Sequence, residues 1–297
     1  MKTNRVRAVP ARMLVGRTPA CSLRFEDRHI SGEHAALIWT GTGWEVRDLG
    51  SRNGTFVDGD RLQPGVPQLL GPGTRIAFGH EDDPWELVDT SPPSALAEAV
   101  PSGELRTATS GILVLPDEQN PEVVIYADRE GRWVAEIGDE PARPLEDQEV
   151  VQAGEQAWRI RVPATQEGTA AVDTGPSIEN ISLRFAVSRN EEHVEITIMH
   201  RGKEIVLEAR EHSYTLLTLA RARIDEADLP ESEQGWVDRD QLLKMLGLDA
   251  NALNVAIYRA RGQLSSVGVQ GAAGVVEVRR GQRRIGLDPS RLEVVPL

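Results

Sequence analysis

The chain has 297 residues, and its 33 basic and 46 acidic side chains give a formal net charge of −13 at pH 7. This length predicts two or three domains, and a hydrophobic fraction of 40% is enough for real cores, which excludes global disorder. No apolar run is long enough to span a membrane, the first residues lack the core of a secretion signal, and the single cysteine cannot form an internal disulfide. We therefore expect a cytoplasmic protein.

The acidic charge is concentrated in the middle of the chain. The net charge is −1 over residues 1–90, −10 over residues 91–177 and −2 over residues 178–297. An acidic total argues against a nucleic-acid-binding surface that covers the whole protein. Because the excess lies in the middle, the two ends have to be judged separately.

The pattern along the chain predicts a multi-domain protein with three modules. Residues 1–90 contain short apolar runs separated by Gly, Asp, Asn and Pro, which is typical of an all-β sandwich. Residues 91–110 are small and polar and predict a linker, whereas residues 111–163 predict a small acidic β-rich module. The layout of this module echoes the first one, so a degenerate repeat is one hypothesis. Residues 164–177 predict a flexible connector.

The C-terminal residues 178–297 predict an α+β module. The expected strands are 181–188, 193–200, 203–207, 275–279 and 283–287, and the expected helices are 209–225, 238–247 and 250–265. The second helix should begin at Asp238, with Gln241 three residues on, and end at Gly247. In the third helix Leu253, Ile257 and Leu264 share the face that should point inward.

Three segments of the first module have the composition of a phosphate site: Gly16-Arg17, Ser31-Gly32-Glu33-His34 and Gly50-Ser51-Arg52-Asn53-Gly54-Thr55. A phosphate needs a charged forked donor, short hydroxyl and amide donors, and loops whose backbone can approach it. In order and spacing these segments resemble the forkhead-associated (FHA) family over roughly residues 5–90.

The resemblance implies a two-sheet sandwich that binds phosphothreonine peptides without catalysis. By position, Arg17 and Ser31 would hold the phosphate, Arg52 would support it, and Asn53 would bond the peptide backbone. The residues that would shape the loops are Gly16, His34, Gly50, Ser51, Gly54 and Thr55. Gly32 departs from the family, which usually has a polar or basic side chain there. The alternative is a sandwich that no longer binds phosphopeptide and serves as a scaffold.

Residues 178–297 resemble the winged-helix domain of OmpR/PhoB-type response regulators, with the closest match at 255–264. The usual receiver domain does not precede it, and the FHA-like module takes that place. Residues 251–284 carry six arginines against one glutamate, a local net charge of +5, which suits a DNA-binding helix and wing. The DNA-contacting residues expected from this resemblance are Asn254, Tyr258, Arg259, Arg261, Arg279, Arg280, Arg283 and Arg284.

Other interpretations of this module stay open. The outward face of the third helix has few groups that read base edges, and Arg261 could instead pair with a neighbouring carboxylate. The wing arginines could be a solvated edge that blocks strand pairing. The acidic middle could be merely solubilising, or it could mimic nucleic acid and occupy the basic wing.

The sequence as a whole predicts a bacterial signalling protein that reads threonine phosphorylation and regulates transcription by binding double-stranded DNA. The alternative is a phosphorylation-dependent adaptor whose winged helix binds protein. The expected partners are a Ser/Thr kinase or its phosphorylated substrate, duplex DNA and a second copy in a homodimer. No enzyme, cofactor or metal is expected, since the six histidines lack metal-site spacing and no catalytic loop motif occurs.

Overall fold

The ranges that the computed structural model describes are residues 9–40, 43–128, 130–163 and 175–297. They divide into two compact units, one with residues 9–94 and 162–163 and a larger one with residues 95–161 and 175–297. Most of the predicted connector at 164–177, namely residues 164–174, lies outside the described residues.

The N-terminal unit is built from strands alone in its described part. They are β1 (Arg12–Gly16), β2 (Leu23–Arg24), β3 (Glu33–Trp39), β4 (Trp44–Asp48), β5 (Thr55–Val57), β6 (Asp60–Arg61), β7 (Pro67–Leu70), β8 (Arg75–Phe78) and β9 (Trp85–Glu86). One sheet has the order β2-β1-β3-β4-β7 and the other β6-β5-β8-β9. The predicted N-terminal β-sandwich is confirmed.

Alternating burial builds the core of this unit and places its loops. In β1, Met13 and Val15 point into the core, as expected of a strand with one buried face. Loop A (residues 17–32, which includes β2) joins β1 to β3, and loop B (residues 49–54) joins β4 to β5. Gly16 pairs with Glu33 and Ala35 pairs with Asp48, so both loops leave the same end of the sandwich.

The larger unit begins with a second sandwich, residues 95–161, called here the middle sandwich. Its strands are β10 (Leu96–Val100), β11 (Leu105–Thr107), β12 (Leu113–Asp117), β13 (Asn120–Ala127), β14 (Trp133–Ile137), β15 (Arg143–Pro144), β16 (Val150–Ala153) and β17 (Gln156–Arg161). Two four-stranded sheets result, β11-β10-β17-β16 and β12-β13-β14-β15. The predicted linker at 91–110 is wrong for β10 and β11, because β10 pairs with β17 along its whole length.

The C-terminal segment, residues 175–297, combines two sheets with three α-helices. Its elements are β18 (Ser182–Val187), β19 (Val194–His200), β20 (Lys203–Leu207), α1 (Ser213–Asp225), β21 (Val237–Asp238), α2 (Arg239–Leu246), α3 (Ala250–Ser266), a 3₁₀ turn (Ala272–Val275), β22 (Val276–Arg279), β23 (Gln282–Ile285), a second 3₁₀ turn (Pro289–Arg291) and β24 (Leu292–Pro296).

The local signals for the helices of this segment agree with the structure. The Asp238 carboxylate accepts hydrogen bonds from the backbone N–H groups of Asp240 and Gln241, and Gly247 ends α2 with a φ of 64°. Leu253 and Leu264 of α3 point into the core of the segment. The strand β24, which pairs in parallel with β18, was not predicted.

The sequence predicts separate middle and C-terminal modules, but the structure joins the middle sandwich and the C-terminal segment. They belong to one compact unit, and β13 packs against α3. A shared apolar cluster joins Ile112, Val114 and Val124 of the sandwich to Tyr258 and Ala273 of the segment. This arrangement decides which arginines are accessible.

Candidate functional site

The start of loop A is fixed by a close approach of two backbone segments. The Arg17 N–H donates to the carbonyls of Ser31 and Gly32 at 3.1 and 2.9 Å. A Cβ at Gly16 would lie 2.2 Å from the Gly32 carbonyl oxygen, which no side chain tolerates. The Arg17 Nε donates to the Ile30 carbonyl at 2.6 Å, so the exposed guanidinium is oriented with its terminal nitrogens as the donors for a ligand.

Loop B is joined to loop A by two hydrogen bonds. The Arg52 N–H donates to the Ser31 Oγ at 3.0 Å, and the Asn53 Nδ2 donates to the His29 carbonyl at 2.7 Å. The first bond uses one lone pair of the Ser31 hydroxyl and leaves its proton for an anion. Residues more than 20 positions apart in the sequence therefore lie side by side.

His34 holds the two loops from below. Its Nδ1 accepts from the Ser31 N–H at 3.0 Å, so the ring proton lies on Nε2, which donates to the Gly54 carbonyl at 3.0 Å. Burial lowers the pKa of His34 below its usual value and outweighs the opposing effects of Gly54 and Asp48. The neutral imidazole, held in one tautomer, therefore joins Ser31 of loop A to Gly54 of loop B.

Asp48, which the sequence analysis missed, organises loop B. Its Oδ1 accepts from the N–H groups of Gly50 and Ser51, both at 2.9 Å, and its Oδ2 accepts from the hydroxyls of Ser51 at 2.5 Å and Thr55 at 2.7 Å. Burial alone would raise the pKa of this carboxyl, but the hydrogen bonds from Ser51, Thr55 and Gly50 outweigh it, so the pKa is lowered. The Ser51 Oγ in turn accepts from the Gly54 N–H at 3.0 Å.

The four residues predicted to bind phosphopeptide are brought together by these contacts. Arg17 and Arg52 are exposed, and Ser31 and Asn53 are half-buried. Two guanidinium groups, a hydroxyl and an amide on neighbouring loops are the donors that a phosphate ester and an adjoining peptide bond require. The loop-shaping residues lie beneath them, with positive φ angles of 85° at Gly50 and 95° at Gly54.

The unusual Gly32 is half-buried, and one neighbouring side chain restricts the space beside it. A Cβ at this position would lie 3.2 Å from the Thr18 Cγ2, and the Gly32 carbonyl accepts from the buried Cys21 Sγ at 3.2 Å. The small residue therefore fits its surroundings, and the cysteine has a structural contact in loop A.

A second group that sequence reasoning missed lies beside Asn53. The Asp27 carboxylate contacts the His29 Nδ1 at 2.9 Å and the His80 Nε2 at 3.1 Å. Hydrogen bonds lower the pKa of Asp27 to about 2, and the largest effect comes from the bond donated by the His29 backbone N–H. Since the His29 carbonyl holds Asn53, this cluster fixes the position of the residue expected to bond the peptide backbone.

The expected DNA-contacting residues of α3 are largely covered by the middle sandwich. Asn254 donates to the Pro121 carbonyl at 3.5 Å, and the Tyr258 hydroxyl donates to Glu118 at 2.7 Å. Arg261 is fully buried and donates from its two terminal nitrogens to the Glu136 carboxylate at 3.3 and 2.9 Å. It pairs with a carboxylate, as the alternative interpretation had it, and cannot reach DNA in this conformation.

Arg261 belongs to a buried polar network. It also donates to the Val276 carbonyl at 2.7 Å, and its guanidinium lies 5.3 Å from the centre of the Tyr126 ring. The Tyr126 hydroxyl donates to Glu136 at 3.3 Å. Burial raises the pKa of Tyr126 to about 12, so this phenol stays protonated as a donor.

The hairpin arginines are also mostly engaged. Arg283 is buried and donates to Asp139 at 2.7 Å. The guanidinium groups of Arg279 and Arg284 both lie over the Trp236 ring, at 4.3 and 4.5 Å from its centroid. Arg284 also donates to Glu277 at 2.6 Å. The contacts with Asp139 and Trp236 hold the hairpin to the rest of the unit, whereas the Arg284–Glu277 pair lies within the hairpin.

Among the eight expected DNA-contacting side chains, Arg259, Arg279 and Arg280 are exposed. Arg279 donates to Gln282 and to the Ser232 carbonyl. The structure therefore does not gather the eight residues into one accessible basic surface.

Residues 13–79 match the family model of the FHA domain, so the N-terminal unit contains an FHA domain. The FHA domain-containing protein FhaB of Mycobacterium tuberculosis is 38% identical over 64 residues, which cover 22% of this chain and 41% of that protein. The match thus spans about two fifths of this curated relative.

Two solved structures are each similar to about a quarter of the chain. A chain from "Structural and functional analysis of phosphothreonine-dependent FHA domain interactions" is 29% identical, with 25% of this chain and 73% of that chain covered and a TM-score of 0.22. Mycobacterium tuberculosis EmbR, solved in complex with a low affinity phosphopeptide, is 28% identical, with 23% of this chain and 17% of that chain covered and a TM-score of 0.22.

None of the helices in the described residues has the length and apolar character that crossing a membrane requires. Within the same residues no three His, Cys, Asp or Glu side chains are grouped so that they could hold a metal ion.

Proposed function

We propose that the protein is a phosphothreonine-dependent adaptor: it captures a phosphorylated protein through loops A and B and presents it to a further protein bound by the larger unit. The partner would be a Ser/Thr kinase or its phosphorylated substrate. The observation that carries the proposal is the hydrogen bond from the Arg52 N–H to the Ser31 Oγ. It joins the two loops and so brings Arg17 and Arg52 to the same end of the sandwich. An FHA domain is a binding module, so we infer no catalysis.

The chemistry of this end of the sandwich supports phosphate as the ligand. A dianionic phosphoryl group can take the terminal nitrogens of Arg17 and the Ser31 hydroxyl as charge-assisted donors. Hydrogen bonds to charged groups contribute roughly 1.5–3 kcal/mol each, and every 1.4 kcal/mol is tenfold in affinity. Replacing Arg17 should therefore weaken binding at least about tenfold.

The test is calorimetry on the full chain with a phosphothreonine peptide and its unphosphorylated form. We expect binding only of the phosphorylated peptide, a loss of at least about tenfold in Arg17→Ala, and no loss in Arg12→Ala. Arg12 is the matched control because it is exposed at the opposite end of the same strand, β1. Equal affinity for the two peptides, or equal losses in the two variants, would refute a phosphate site in loop A.

The transcription-regulator hypothesis remains a separate candidate. The order of sheet, three helices and hairpin in the C-terminal segment and the exposed Arg259 and Arg280 favour it. It predicts a mobility shift with random duplex DNA that falls steeply with salt and is weakened in the exposed pair Arg259→Ala plus Arg280→Ala. The adaptor predicts no shift at low salt. The proposed adaptor is preferred because Arg261 and Arg283 are buried on carboxylates.

A further inference from the structure

The middle sandwich repeats part of the strand order of the N-terminal unit. In the N-terminal unit β1, β3, β4 and β7 form an antiparallel series, and β8 and β9 form an antiparallel pair. In the middle sandwich β12, β13, β14 and β15 form the same series, and β16 and β17 form the same pair. In the N-terminal unit the strands without a counterpart are β2, β5 and β6, which lie in or after the two ligand loops. In the middle sandwich they are β10 and β11, which precede the β12–β15 series.

The ligand loops themselves are reduced in the repeat. Only residues 118–119 join β12 to β13, whereas loop A, at the corresponding place in the N-terminal unit, has residues 17–32. Residues 138–142 join β14 to β15. Neither connection has an arginine or a serine, so the chemistry of the phosphate site is missing. The end of the middle sandwich is therefore unsuited to a phosphopeptide.

This end and the outer face of the β12–β15 sheet contact α3 instead. The Asn251 Nδ2 donates to the Gln119 carbonyl at 2.8 Å near the start of the helix, and the Ser265 Oγ donates to the Ser110 carbonyl at 2.7 Å near its end. Between them Tyr258 and Arg261 contact Glu118 and Glu136. The sandwich therefore follows α3 along its whole length.

The helix is consequently buried on two sides. Leu253, Ile257 and Leu264 face the core of the C-terminal segment, whereas Tyr258 faces an apolar cluster with Val114 and Val124. Separating the two bodies would expose that cluster and leave the Arg261 and Glu136 charges without each other. Both costs oppose release, because a buried pair that loses one partner leaves an uncompensated charge.

The hairpin is held at a second point. The Asp139 carboxylate contacts Arg283 at 2.7 Å and Arg239 at 3.1 Å, and the Asp139 carbonyl accepts from the Gly281 N–H at 3.1 Å. One turn of the middle sandwich thus binds both the tip of the hairpin and the first residue of α2. Opposite charges meet at the two side-chain contacts, Asp139 with Arg283 and Asp139 with Arg239.

We propose that the middle sandwich is a second FHA-like fold without a ligand site, and that it is the permanent intramolecular partner of α3 and the hairpin. In this arrangement α3 is a core helix shared by two bodies rather than a helix that enters a DNA groove. The larger unit, which contains both, then unfolds in one cooperative transition. The inference does not rest on phosphopeptide binding by the N-terminal unit.

The test is native-state hydrogen exchange on the full wild-type chain at rising guanidinium concentration. Peptides from β13 and β14 and peptides from α3 should share one opening transition with one midpoint and one slope. Two distinct transitions, with α3 opening while β13 and β14 stay protected, would overturn the proposal. This measurement needs no variant and so does not depend on the folding of one.

A variant sharpens the result. Glu136→Gln keeps the shape of the side chain and removes the charge beside Arg261, so exchange in β14 and in α3 should rise by the same factor, about tenfold or more. The matched control is Glu98→Gln, which removes the partner of the exposed Arg161 and should change exchange less than about twofold. Faster exchange in α3 alone, together with new binding of random duplex DNA, would show that the middle sandwich can release α3. That result would overturn the proposal of a permanent contact.

Discussion

The carboxylate of Asp48 should decide whether loop B holds its shape, and Asp48→Asn removes its charge with little change in volume. Asparagine can still accept the two backbone N–H bonds with its oxygen. Its NH₂ group then replaces the oxygen that accepts the hydroxyls of Ser51 and Thr55. Two bonds to a charged acceptor are lost, at roughly 1.5–3 kcal/mol each before the hydroxyls reorient. We expect a loss of about 3 kcal/mol in the stability of the N-terminal unit.

The pH dependence of this loss follows from the direction of the pKa shift. The pKa of Asp48 is lowered in the folded state, so its contribution is present above the unfolded pKa of ~3.9 and is lost as the pH falls through the folded pKa. The stability difference between wild type and Asp48→Asn should be full at neutral pH and should narrow below about pH 4.

The measurement is pulsed hydrogen exchange on the full chain. The protein is equilibrated in guanidinium at each test pH and then labelled at one fixed pH, and peptides from β3 and β4 are followed. Asp60→Asn is the matched control, since Asp60 is exposed in the neighbouring hairpin. An Asp48→Asn difference that is absent, or that stays constant from neutral pH to pH 3, contradicts the proposed role. The variant should also bind the phosphothreonine peptide more weakly, because loop B positions Arg52 and Asn53.

Two further substitutions test the two units separately. Gly16→Ala puts a methyl group 2.2 Å from the Gly32 carbonyl oxygen, so we expect a loss of roughly 1–3 kcal/mol in the stability of the N-terminal unit. Calorimetry should also show weaker phosphopeptide binding. Unchanged binding would mean that loop A accommodates the methyl group. Tyr258→Phe removes the bond to the exposed carboxylate of Glu118 and keeps the ring, so the larger unit should lose about 0.5–1.5 kcal/mol in denaturant unfolding. Peptide affinity should not change in this second variant, and a change would show that its effect reaches loops A and B.

The candidate phosphate site was visible in the sequence because its chemistry is local. Arg17, Ser31 and Asn53 sit in short segments whose glycines mark tight loops, and each segment carries its own signal. Asp48 carried no such signal, since an aspartate at the end of a strand before Leu49-Gly50 looks like an ordinary turn residue. Its role depends on four donors that only the folded loop collects.

The missed strands have a different cause. In β10 the buried side chains include Ala97 and Ala99, which are small enough that the segment resembles a polar linker, yet they are 0% and 1% exposed. Strand β24 pairs with β18, more than 100 residues away, and no local period encodes such a partner. By contrast, the caps at Asp238 and Gly247 are local, and the α2 boundaries followed from them.

The charge pattern shows why a basic segment does not identify a nucleic-acid surface. Residues 251–284 carry a net charge of +5 and residues 91–177 carry −10, and a count along the chain cannot tell an external partner from an internal one. The structure places Glu136 and Asp139 of the acidic part on Arg261 and Arg283 of the basic part. Burial distinguishes the two cases, because a phosphate-binding arginine must be exposed to water before its ligand arrives, whereas a guanidinium buried on a carboxylate already has its counterion.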